Sequence, residues 1–399
     1  MSNTNFPELV NFIQECDVKL FEEGCNSIID VIGKFIENND DDSAFYIVNI
    51  KKIVEQYEKW SEHLPRVKPF YAVKCNPNPV ITKLLNGFNI GFDCASKNEI
   101  SQIISQGTKP EDVIFANPCK ASGQIKFARS EDVDLMTFDD VHELYKIKLY
   151  HPHAKLVLRI TVDESKSVCK FNCKFGATPS EIKNILNIAK SLELNIVGVS
   201  FHVGSNCLDA KTYYTALEEV KKVFIIAGEN GFAFNLVDIG GGFPGYDKEG
   251  VVTFEEIAEQ INKGIDDFFT EEGIEFIAEP GRYFVCSSHT LVTNIIGKKK
   301  LGDKFTYYLN DGIYGSFNCV YFDNAKPVIM PYNERDGKQY ESTVFGPTCD
   351  SIDIISESCQ LPDLAIGEWV YVENFGAYTI AAASTFNGFQ QTRCVYCFV

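Results

Sequence analysis

The residues with the clearest chemical potential are Glu279-Pro280-Gly281-Arg282, which follow the apolar run Ile274–Ala278. Such a run predicts a buried strand, so the tetrapeptide would place a carboxylate, a glycine turn and a guanidinium at one strand end. Glycine lets backbone amides approach a phosphate, arginine can pair with it bidentately, and a carboxylate can hold a proton on a nearby nitrogen. A Pro-Gly turn after a strand is also ordinary punctuation, so the prediction of an anionic-cofactor site depends on companion residues.

A lysine and three consecutive glycines are candidates for these companions. Lys74 follows the apolar run Pro69–Val73, and Gly240-Gly241-Gly242 follows Leu236–Ile239. Most lysines at strand ends are solvated surface charges, but one that is desolvated in a confined site can attack a carbonyl. Unhindered glycine amides can bind a phosphate, although a flexible turn is about equally compatible with three glycines alone.

These residues need a scaffold that gathers strand ends, and an alternation of short apolar runs with helical patterns predicts one. The eight strand candidates are Pro69–Val73, Gly91–Cys94, Val113–Ala116, Leu135–Phe138, Leu156–Ile160, Ile196–Phe201, Leu236–Ile239 and Phe276–Ala278. The helical patterns include Asn98–Gln106, Asp140–Tyr150, Glu181–Leu192, Ala210–Asn230 and Thr253–Phe269. Eight strand-helix repeats favour a TIM-like (β/α)₈ barrel over an open doubly wound sheet, because such a sheet usually has fewer strands and a Gly-x-Gly-x-x-Gly after its first strand, where this sequence has none.

The texture of the sequence changes after Arg282, where short alternating runs are separated by turn residues. This pattern is typical of an antiparallel β domain, here predicted as a β-barrel or a Greek-key-like β-sandwich. A chain of 399 residues also exceeds the size at which one hydrophobic core keeps growing. We therefore predict a barrel domain at 45–283, and a β domain made of 284–399 together with 1–44.

In a (β/α)₈ barrel the functional side chains lie at the C-terminal ends of the strands. The polar or glycine residues at those ends are Lys74, Asp93, Asn117, Arg159, His202, Gly240, Gly241, Gly242, Glu279 and Arg282, with Ser205 close behind His202. A carbonyl-reactive lysine, a phosphate cradle and a buried carboxylate together specify pyridoxal phosphate. His202 is expected to be a flat ring beside that cofactor, because no second ligand stands at metal spacing and no metal site is predicted.

The predicted β domain contributes a second group of candidates. Cys349 is followed at once by Asp350, and Asp323 precedes a loop. A thiol near a cofactor can return a proton to the substrate Cα, and two aspartates could bind a distal ammonium group. The sequence alone equally allows these aspartates to be solvated loop acids.

Composition limits the classes of partner. The formal charge of −18 disfavours nucleic acid and anionic membranes and suits a small cationic ligand, although acidity alone also keeps a protein soluble. The sequence has no apolar run long enough to span a bilayer and no signal profile at its start. Fourteen irregularly spaced cysteines are typical of reduced thiols, so we predict a soluble cytoplasmic protein.

Several motifs, taken in order, closely resemble the eukaryotic ornithine decarboxylase family over about residues 45–389. They are Pro69–Lys74, Gly91–Ser96, Phe201–Ser205, Asp238–Phe243, Glu279–Arg282, Phe345–Asp350 and Glu373–Thr379. The resemblance implies the alanine racemase-like fold of the fold type III pyridoxal-phosphate-dependent decarboxylases. It also implies a head-to-tail homodimer with active sites shared at the subunit interface.

The resemblance further implies a role for individual residues. Cofactor contacts are implied for Lys74, Asp93, Arg159, His202, Ser205, Gly240, Gly241, Gly242, Glu279, Gly281, Arg282 and Tyr378. Catalytic roles are implied for Lys74, His202 and Glu279, and for Cys349 as proton donor from the partner subunit. Substrate contacts are implied for Asp323, Asp350 and Phe386, and a salt bridge between subunits for Lys174 with Asp353.

The sequence departs from the family pattern at Asn206 and Ser351, where the family has glycine, and at Phe322, where it often has tyrosine. The segment Asp323–Pro327 is also about two residues shorter than in animal enzymes. We expect these departures to affect the substrate loop and inhibitor fit more than the reaction. The chain ends at Val399, so we expect no C-terminal turnover tail of the animal type.

The implied activity is decarboxylation of L-ornithine to putrescine and carbon dioxide, the first step of polyamine biosynthesis. Lysine, arginine or diaminopimelate are alternative substrates, although Asp323 favours a short diamine and Asp350 argues against a second substrate carboxylate. An inactive regulator resembling antizyme inhibitor is the alternative from another class, with an antizyme-like protein as its partner. Such regulators lose cofactor contacts, whereas Asp93, Arg159, the three glycines and Cys349 are all present here.

Overall fold

The computed structural model describes residues 12, 15, 16, 18, 27–333, 335 and 337–399. The rest of the predicted N-terminal segment 1–44 lies outside these residues. The chain divides into two compact units, one formed by Glu58–Tyr283 and the other by the described residues up to Tyr57 with Phe284–Val399. We call them the barrel unit and the β unit.

The described strands and helices are numbered in chain order. The strands are β1 (Phe45–Asn49), β2 (Val67–Ala72), β3 (Gly91–Cys94), β4 (Val113–Phe115), β5 (Leu135–Phe138), β6 (Lys155–Arg159), β7 (Ser167–Cys169), β8 (Asn195–Ser200), β9 (Ser205–Cys207), β10 (Leu236–Asp238), β11 (Glu275–Ala278), β12 (His289–Leu301), β13 (Lys304–Leu309), β14 (Met330–Pro331), β15 (Tyr340–Phe345), β16 (Ile354–Leu361), β17 (Trp369–Val372) and β18 (Arg393–Cys397). The helices are α1 (Ile28–Glu37), α2 (Ile50–His63), α3 (Pro79–Gly87), α4 (Lys97–Ser105), α5 (Ser122–Ser130), α6 (Val141–Tyr150), α7 (Pro179–Ser191), α8 (Lys211–Glu229), α9 (Phe254–Phe268), α10 (Arg282–Val285) and α11 (Cys319–Phe322).

The barrel unit contains a closed parallel barrel in the order β10-β11-β2-β3-β4-β5-β6-β8. These are the eight predicted strands, with ends that differ by at most two residues, and the predicted TIM-like barrel is confirmed. The pairing of Phe276 with Val67 closes the ring between the last and the first barrel strand. Such closure brings the C-terminal ends of all eight strands to one rim.

Local signals explain the connecting helices. Helix α9 begins after Thr253, whose side chain accepts a hydrogen bond from the Glu256 amide while the Glu256 carboxylate reaches back to the Thr253 amide. Ser96 and Asp140 cap α4 and α6 with their side chains in a similar way. The β7–β9 pair lies outside the barrel, in the connections that follow β6 and β8.

The β unit contains an eight-stranded sheet in the order β14-β17-β12-β13-β15-β16, with β1 joined to β12 and β18. The sequence predicted an antiparallel domain, but the sheet is mixed, because β1 runs parallel to β18 and β13 runs parallel to β15. Side-chain alternation has the same period in both kinds of pairing, so it cannot distinguish them.

Strand β1 marks a difference from the predicted domain boundary at residue 45. It pairs with β12 and β18 of the β unit, and the barrel unit begins only at Glu58. All five β1 residues are buried, so the segment lacks alternation and resembles a barrel strand in sequence. Helix α1 packs on it through Val31 and Ile32 in a core cluster with Phe45 and Ile47. None of the helices in the described residues is both long and apolar enough to cross a membrane.

Candidate active site

The C-terminal rim of the barrel brings the predicted barrel-unit residues together. Lys74 lies in a 3₁₀ turn directly after β2, Asp93 lies within β3, and Arg159 is the last residue of β6. The remaining positions are His202 after β8, Ser205 at the start of β9, Gly240–Gly242 after β10, Glu279 and Gly281 after β11, and Arg282 at the start of α10. Backbone bonds fix this rim, since the Glu279 amide donates to Gly240 O at 2.7 Å and the Ala72 amide donates to Pro280 O at 3.2 Å.

Lys74 forms an ion pair with Asp93. The Asp93 side chain is fully buried, whereas 41% of the Lys74 side chain is exposed. Burial raises the pKa of the Asp93 carboxyl, while the charges of Lys74 and Arg159 act in the opposite direction. The amine therefore differs from the desolvated lysine that the sequence predicted, because it lies open at the rim with its charge balanced by a buried carboxylate.

Glu279 is accompanied by a second buried carboxylate, Asp238 at the end of β10. Burial, followed by the charges of Asp238 and Asp93, raises the pKa of Glu279 well above its ordinary value, and Lys74 opposes this. Burial also raises the pKa of Asp238 to about 7, although the Gly240 amide donates to it at 2.9 Å. Burial and mutual repulsion therefore make it unfavourable for both carboxylates of the pair to be ionised at once.

Sequence analysis did not assign a role to Asp238. The available signal was a lone carboxylate within the apolar run Leu236–Ile239, directly before the glycines. Such a residue is buried with an apolar strand, and buried carboxylates cluster at functional sites.

The three glycines are required by space and by backbone conformation. Gly240 and Gly242 have φ values of 69° and 106°. A Cβ atom at Gly241 would lie 2.9 Å from both Glu279 O and His202 Nε2, and one at Gly242 would lie 2.7 Å from Gly204 O. Side chains are thus excluded from a loop that adjoins both Glu279 and His202.

Arg282 and Ser205 lie beside this loop. Arg282 Nη2 donates a hydrogen bond to Ser205 Oγ at 3.3 Å. A guanidinium, a hydroxyl and a side-chain-free backbone are the groups that bind phosphate in proteins. Glu279 Oε1 is buried with no hydrogen-bond partner among the described residues, which leaves an acceptor for a ring N–H. The residues present fit a phosphorylated, nitrogen-containing ring such as pyridoxal phosphate.

His202 is held as a neutral ring. Burial, together with the charges of Arg159 and Lys74, lowers its pKa well below the ordinary value. Its Nδ1 accepts the Gly204 N–H at 2.9 Å, which places the proton of the neutral ring on Nε2. The Phe171 ring packs edge-on against it at 5.0 Å between centroids. A fixed, uncharged ring suits stacking on a heterocycle, and the described residues contain no cluster of three or more His, Cys, Asp or Glu arranged for a metal.

The remaining predicted residues lie in the β unit. Asp350 accepts a hydrogen bond from the Tyr314 hydroxyl at 2.6 Å, and this bond is the main cause that lowers the pKa of Asp350. The Tyr314 ring stacks on Phe386 at 4.3 Å between centroids. One tyrosine therefore contacts two of the three predicted substrate residues, a role that the sequence did not reveal. The third, Asp323, follows α11 with its amide donating to Cys319 O.

Asp353 shapes the loop that carries Cys349. Only 1% of Asp353 is exposed, and it accepts hydrogen bonds from the amides of Ile313 (2.8 Å) and Thr348 (3.0 Å) and from Thr348 Oγ1 (2.7 Å). Cys349 itself is exposed, and its amide donates to Asn387 Oδ1 at 2.9 Å. Asp353 is thus a loop anchor, and its salt bridge with Lys174 of another subunit stays a prediction.

Two residues adopt left-handed backbone conformations. Asn206 has a φ of 53°, which explains how it replaces the glycine of the family pattern, because asparagine tolerates this region. Tyr378 has a φ of 57°, a strained value for a bulky residue. Strain of this kind is concentrated at functional sites, and the ligand-binding role of Tyr378 stays a prediction.

Comparison with known proteins identifies the family. The family described as pyridoxal-dependent decarboxylase, pyridoxal binding domain, matches residues 50–286. Ornithine decarboxylase of Mus musculus is 45% identical over 401 residues, covering 96% of this chain and 87% of the relative. Antizyme inhibitor 2 of Xenopus laevis is 44% identical over 402 residues, covering 96% of this chain and 88% of the relative.

A solved structure supports the same assignment. The arginine decarboxylase of Paramecium bursaria Chlorella virus superposes with a TM-score of 0.89 and 36% identity, covering 93% of this chain and all of the viral one. The chain therefore belongs to the eukaryotic ornithine decarboxylase family of pyridoxal-phosphate-dependent decarboxylases, with the alanine racemase-like fold.

Proposed function

We propose that this protein decarboxylates L-ornithine to putrescine and carbon dioxide, the first step of polyamine biosynthesis. The observation that carries the proposal is the arrangement of the rim, where the Lys74–Asp93 pair, the buried Glu279–Asp238 pair and the Arg282–Ser205 contact surround one glycine loop. Pyridoxal phosphate would supply an electron sink for the pair of electrons left at Cα when the carboxylate departs.

Lys74 is the residue that would bind the cofactor carbonyl. Its ammonium group must lose a proton before it can act as a nucleophile, and Asp93 is the carboxylate in contact with it. The buried Asp93 also keeps the amine at a fixed position on the rim. Lys74 is therefore both the anchor and the group that the substrate amine must replace.

Glu279 would hold the proton of the ring nitrogen. Its orphaned Oε1 supplies the acceptor, and burial beside Asp238 raises the pKa of Glu279, which favours a proton held at this carboxylate pair. Ser205, Arg282 and the amides of Gly240–Gly242 and Gly281 would bind the phosphate, with Tyr378. His202 would stack on the ring, and Arg159 and Asp93 would lie beside it.

Residues of the β unit would handle the substrate. Cys349 is exposed and carries a transferable proton, which suits it to protonate the substrate Cα. Asp350 and Asp323 would bind the distal ammonium, and Phe386 would form the pocket wall. Tyr314 supports this role of Asp350, because its hydrogen bond favours the ionised carboxylate that a cationic substrate needs.

Substrate preference can be tested by steady-state kinetics. Purified protein with pyridoxal phosphate is expected to show a higher kcat/KM for L-ornithine than for L-lysine, L-arginine or diaminopimelate. A preference for lysine or arginine would assign the protein to a neighbouring activity within the same family.

We further propose a cytoplasmic homodimer with shared active sites. Cys349 and Asp350 of one subunit would then serve the barrel of the other, as the family resemblance implies. The oligomeric state can be measured by light scattering with size-exclusion chromatography, and a strictly monomeric active enzyme would exclude shared sites. An antizyme-like regulator remains a proposed partner, testable by co-purification with a recombinant antizyme.

The second candidate function is that of a catalytically inactive regulator. It is favoured by the 44% identity to an antizyme inhibitor, which is close to the identity to the decarboxylase. The presence of Lys74, Asp93, Arg159 and Cys349 argues against it, because an inactive regulator is expected to lose contacts that only the cofactor and the reaction require. After removal of unbound pyridoxal phosphate, an absorbance band that stays with the protein and is lost in Lys74→Ala supports the enzyme, and a colourless protein supports the regulator.

A further inference from the structure

The connection between β6 and α7, residues 161–177, leaves the barrel and packs on the segment that carries His202 and Ser205. Its strand β7 pairs with β9, which begins at Ser205. Ser167 Oγ donates to Val203 O at 2.5 Å, and the Leu208 amide donates to Lys166 O at 3.0 Å. The contact is close, since a Cβ atom at Gly204 would lie 2.5 Å from Cys169 O. We call this connection the 161–177 segment.

Glu164 is the buried charge at the base of the 161–177 segment. Only 5% of Glu164 is exposed, although its neighbours Asp163 and Ser165 are exposed. Its Oε2 accepts hydrogen bonds from the amides of Phe171 and Asn172, both at 2.8 Å. Its Oε1 is buried without a partner in the described part of the chain. One carboxylate therefore joins the beginning of the segment to its middle through two charge-assisted bonds.

The residue fixed by Glu164 is the one that contacts His202. Phe171 presents its ring edge-on to the His202 ring, at 5.0 Å between centroids and an interplanar angle of 84°. Its backbone carbonyl also accepts hydrogen bonds from the amides of Lys174 and Phe175, at 2.9 and 3.1 Å. The Phe175 ring in turn lies 5.1 Å from the Arg159 guanidinium. Two rim residues, His202 and Arg159, thus border on a turn that Glu164 holds together.

We propose that Glu164 is a positioning residue for the active site, which fixes the His202 ring through Phe171. This inference rests on the proposed function, because His202 is the residue expected to stack on the cofactor ring. Four residues of the turn at 170–174 are exposed, namely Lys170, Asn172, Cys173 and Lys174. Apart from Glu164, the turn is therefore held mainly by its own backbone hydrogen bonds. The buried carboxylate supplies the anchor that this exposed turn lacks.

Four variants separate the steps of the argument. Glu164→Ala removes the anchor, and Glu164→Gln keeps an oxygen that can accept both amides but removes the charge. Phe171→Ala removes the ring and leaves the anchor intact. Asp163→Asn is the matched control, because it removes the adjacent charge and keeps an oxygen for the bond to the Ser165 amide.

The first readout is limited proteolysis with trypsin, which does not depend on activity. Lys166 and Lys170 are exposed cleavage sites in the 161–177 segment, and exposed Lys248 in another loop is an internal reference. Cleavage follows the population of the opened segment. Loss of charge-assisted bonds should increase that population at least about tenfold in Glu164→Ala, with a smaller increase in Glu164→Gln and none in Phe171→Ala or Asp163→Asn. Cleavage at Lys248 should not change.

The second readout is the dissociation constant for pyridoxal phosphate, measured by absorbance titration. We expect weaker binding in Glu164→Ala and Phe171→Ala, partial rescue in Glu164→Gln, and the parental value in Asp163→Asn. Parental cleavage rates in Glu164→Ala would overturn the proposal. It would also be overturned if the segment opened without any change in cofactor affinity, or if Phe171→Ala bound the cofactor as tightly as the parent. A parent that binds pyridoxal phosphate but releases no carbon dioxide from ornithine would refute the proposed function instead, and both readouts would still test Glu164.

Discussion

The two buried carboxylates, Glu279 and Asp238, have different consequences for activity and for stability. Glu279 carries the orphaned oxygen and would contact the cofactor, whereas Asp238 acts on Glu279 through its charge. Substitution by the matching amide keeps the size of each side chain and removes its charge. Each residue therefore has its own measurable effect.

For Glu279, we predict that Glu279→Gln lowers kcat for ornithine by about ten- to a hundredfold, because a charge-assisted hydrogen bond contributes about 1.5–3 kcal/mol. The control is Glu275→Gln, which alters an exposed residue of the same strand. The measurement is the initial rate at saturating ornithine and pyridoxal phosphate. If Glu279→Gln retained the parental kcat, the proposed role of this carboxylate would be wrong.

Asp238 leads to a prediction about pH. Its pKa is raised in the folded state to about 7, so the folded protein binds more protons than the unfolded chain between about pH 4 and pH 7. The free energy of unfolding therefore falls as pH rises through this window, by up to about 4 kcal/mol for a shift of this size. Asp238→Asn cannot ionise at this position and so escapes this loss. The free energy of unfolding of Asp238→Asn minus that of the parent should therefore be larger at pH 8 than at pH 5.

The pH prediction is checked by urea unfolding of cofactor-free parent and Asp238→Asn at both pH values. Asp303→Asn, a substitution in an exposed turn, serves as the control. A constant difference between Asp238→Asn and the parent at pH 5 and pH 8 would contradict the raised pKa.

Sequence reasoning recovered the rim residues because strand ends in a parallel barrel converge, so the position of each residue followed from its strand. It did not recover Asp238 or Tyr314. Both act on other side chains across the fold, Asp238 on Glu279 and Tyr314 on Asp350, and the spacing of residues along a chain carries no such distances. Glu164 was missed for the same reason, since exposed residues surround it in sequence.

Among the elements, the loop between β10 and α9 has strict steric requirements at its three glycines. Phe243 packs against Trp60 and Tyr213 at 5.0 and 5.3 Å between ring centroids, and the Tyr213 hydroxyl donates to Gly241 O at 3.1 Å. These aromatic side chains thus hold the glycine loop in place through ring packing at Phe243 and the Tyr213 hydrogen bond. The loop has no room for a methyl group at any of its three glycines.

We predict that Gly242→Ala weakens pyridoxal phosphate binding and also destabilises the protein. Left-handed backbone strain alone would cost about 1–2 kcal/mol, and we expect a larger loss of stability than that. The reason is the added Cβ atom, which would lie 2.7 Å from Gly204 O and 2.8 Å from the Tyr213 hydroxyl. Gly250→Ala is the matched control, because Gly250 also has a positive φ of 74° but has open space around its Cβ position. Equal losses in both variants, measured by thermal unfolding and absorbance titration, would exclude the steric explanation.

The loop that carries Asp350 provides a test of substrate binding. Tyr314→Phe keeps the stack on Phe386 and removes the hydrogen bond to Asp350, so we predict a KM for ornithine that is about two- to tenfold higher, with little change in kcat. Tyr321→Phe is a control on a nearby exposed tyrosine whose hydroxyl bonds to a backbone carbonyl. An unchanged KM in Tyr314→Phe would show that the hydrogen bond from Tyr314 to Asp350 does not support ornithine binding.

Element positions were predictable to within two residues in the barrel, because eight apolar strands alternated with amphipathic helices. The β unit was less predictable. Strand β1 is buried along its whole length, which concealed its membership in the second sheet, and the parallel β13–β15 pair joins strands that are distant in sequence. Strand direction depends on connections rather than on the pattern of side chains.

The whole molecule is expected to function as a homodimer. If Lys74 and Cys349 of one active site come from different subunits, a mixture of the inactive Lys74→Ala and Cys349→Ala variants should regain activity after subunit exchange. Random pairing gives half heterodimers, each with one intact site, so about a quarter of parental activity is expected. A mixture that stays inactive although heterodimers form would place both residues in a site within one chain.

The charge of the whole chain, −18, agrees with a cationic substrate but does not choose among basic amino acids. The family relation favours the enzyme over the regulator, although an antizyme inhibitor has a similar identity. That distinction depends on the rim residues of the barrel.

The most direct test is the release of labelled carbon dioxide from carboxyl-labelled L-ornithine by the purified protein with pyridoxal phosphate, compared with Lys74→Ala. The predicted result is continuous release over many turnovers by the parent and none above background by Lys74→Ala. Binding of pyridoxal phosphate without any release from ornithine, lysine or arginine would contradict a decarboxylase built on Lys74 and Glu279.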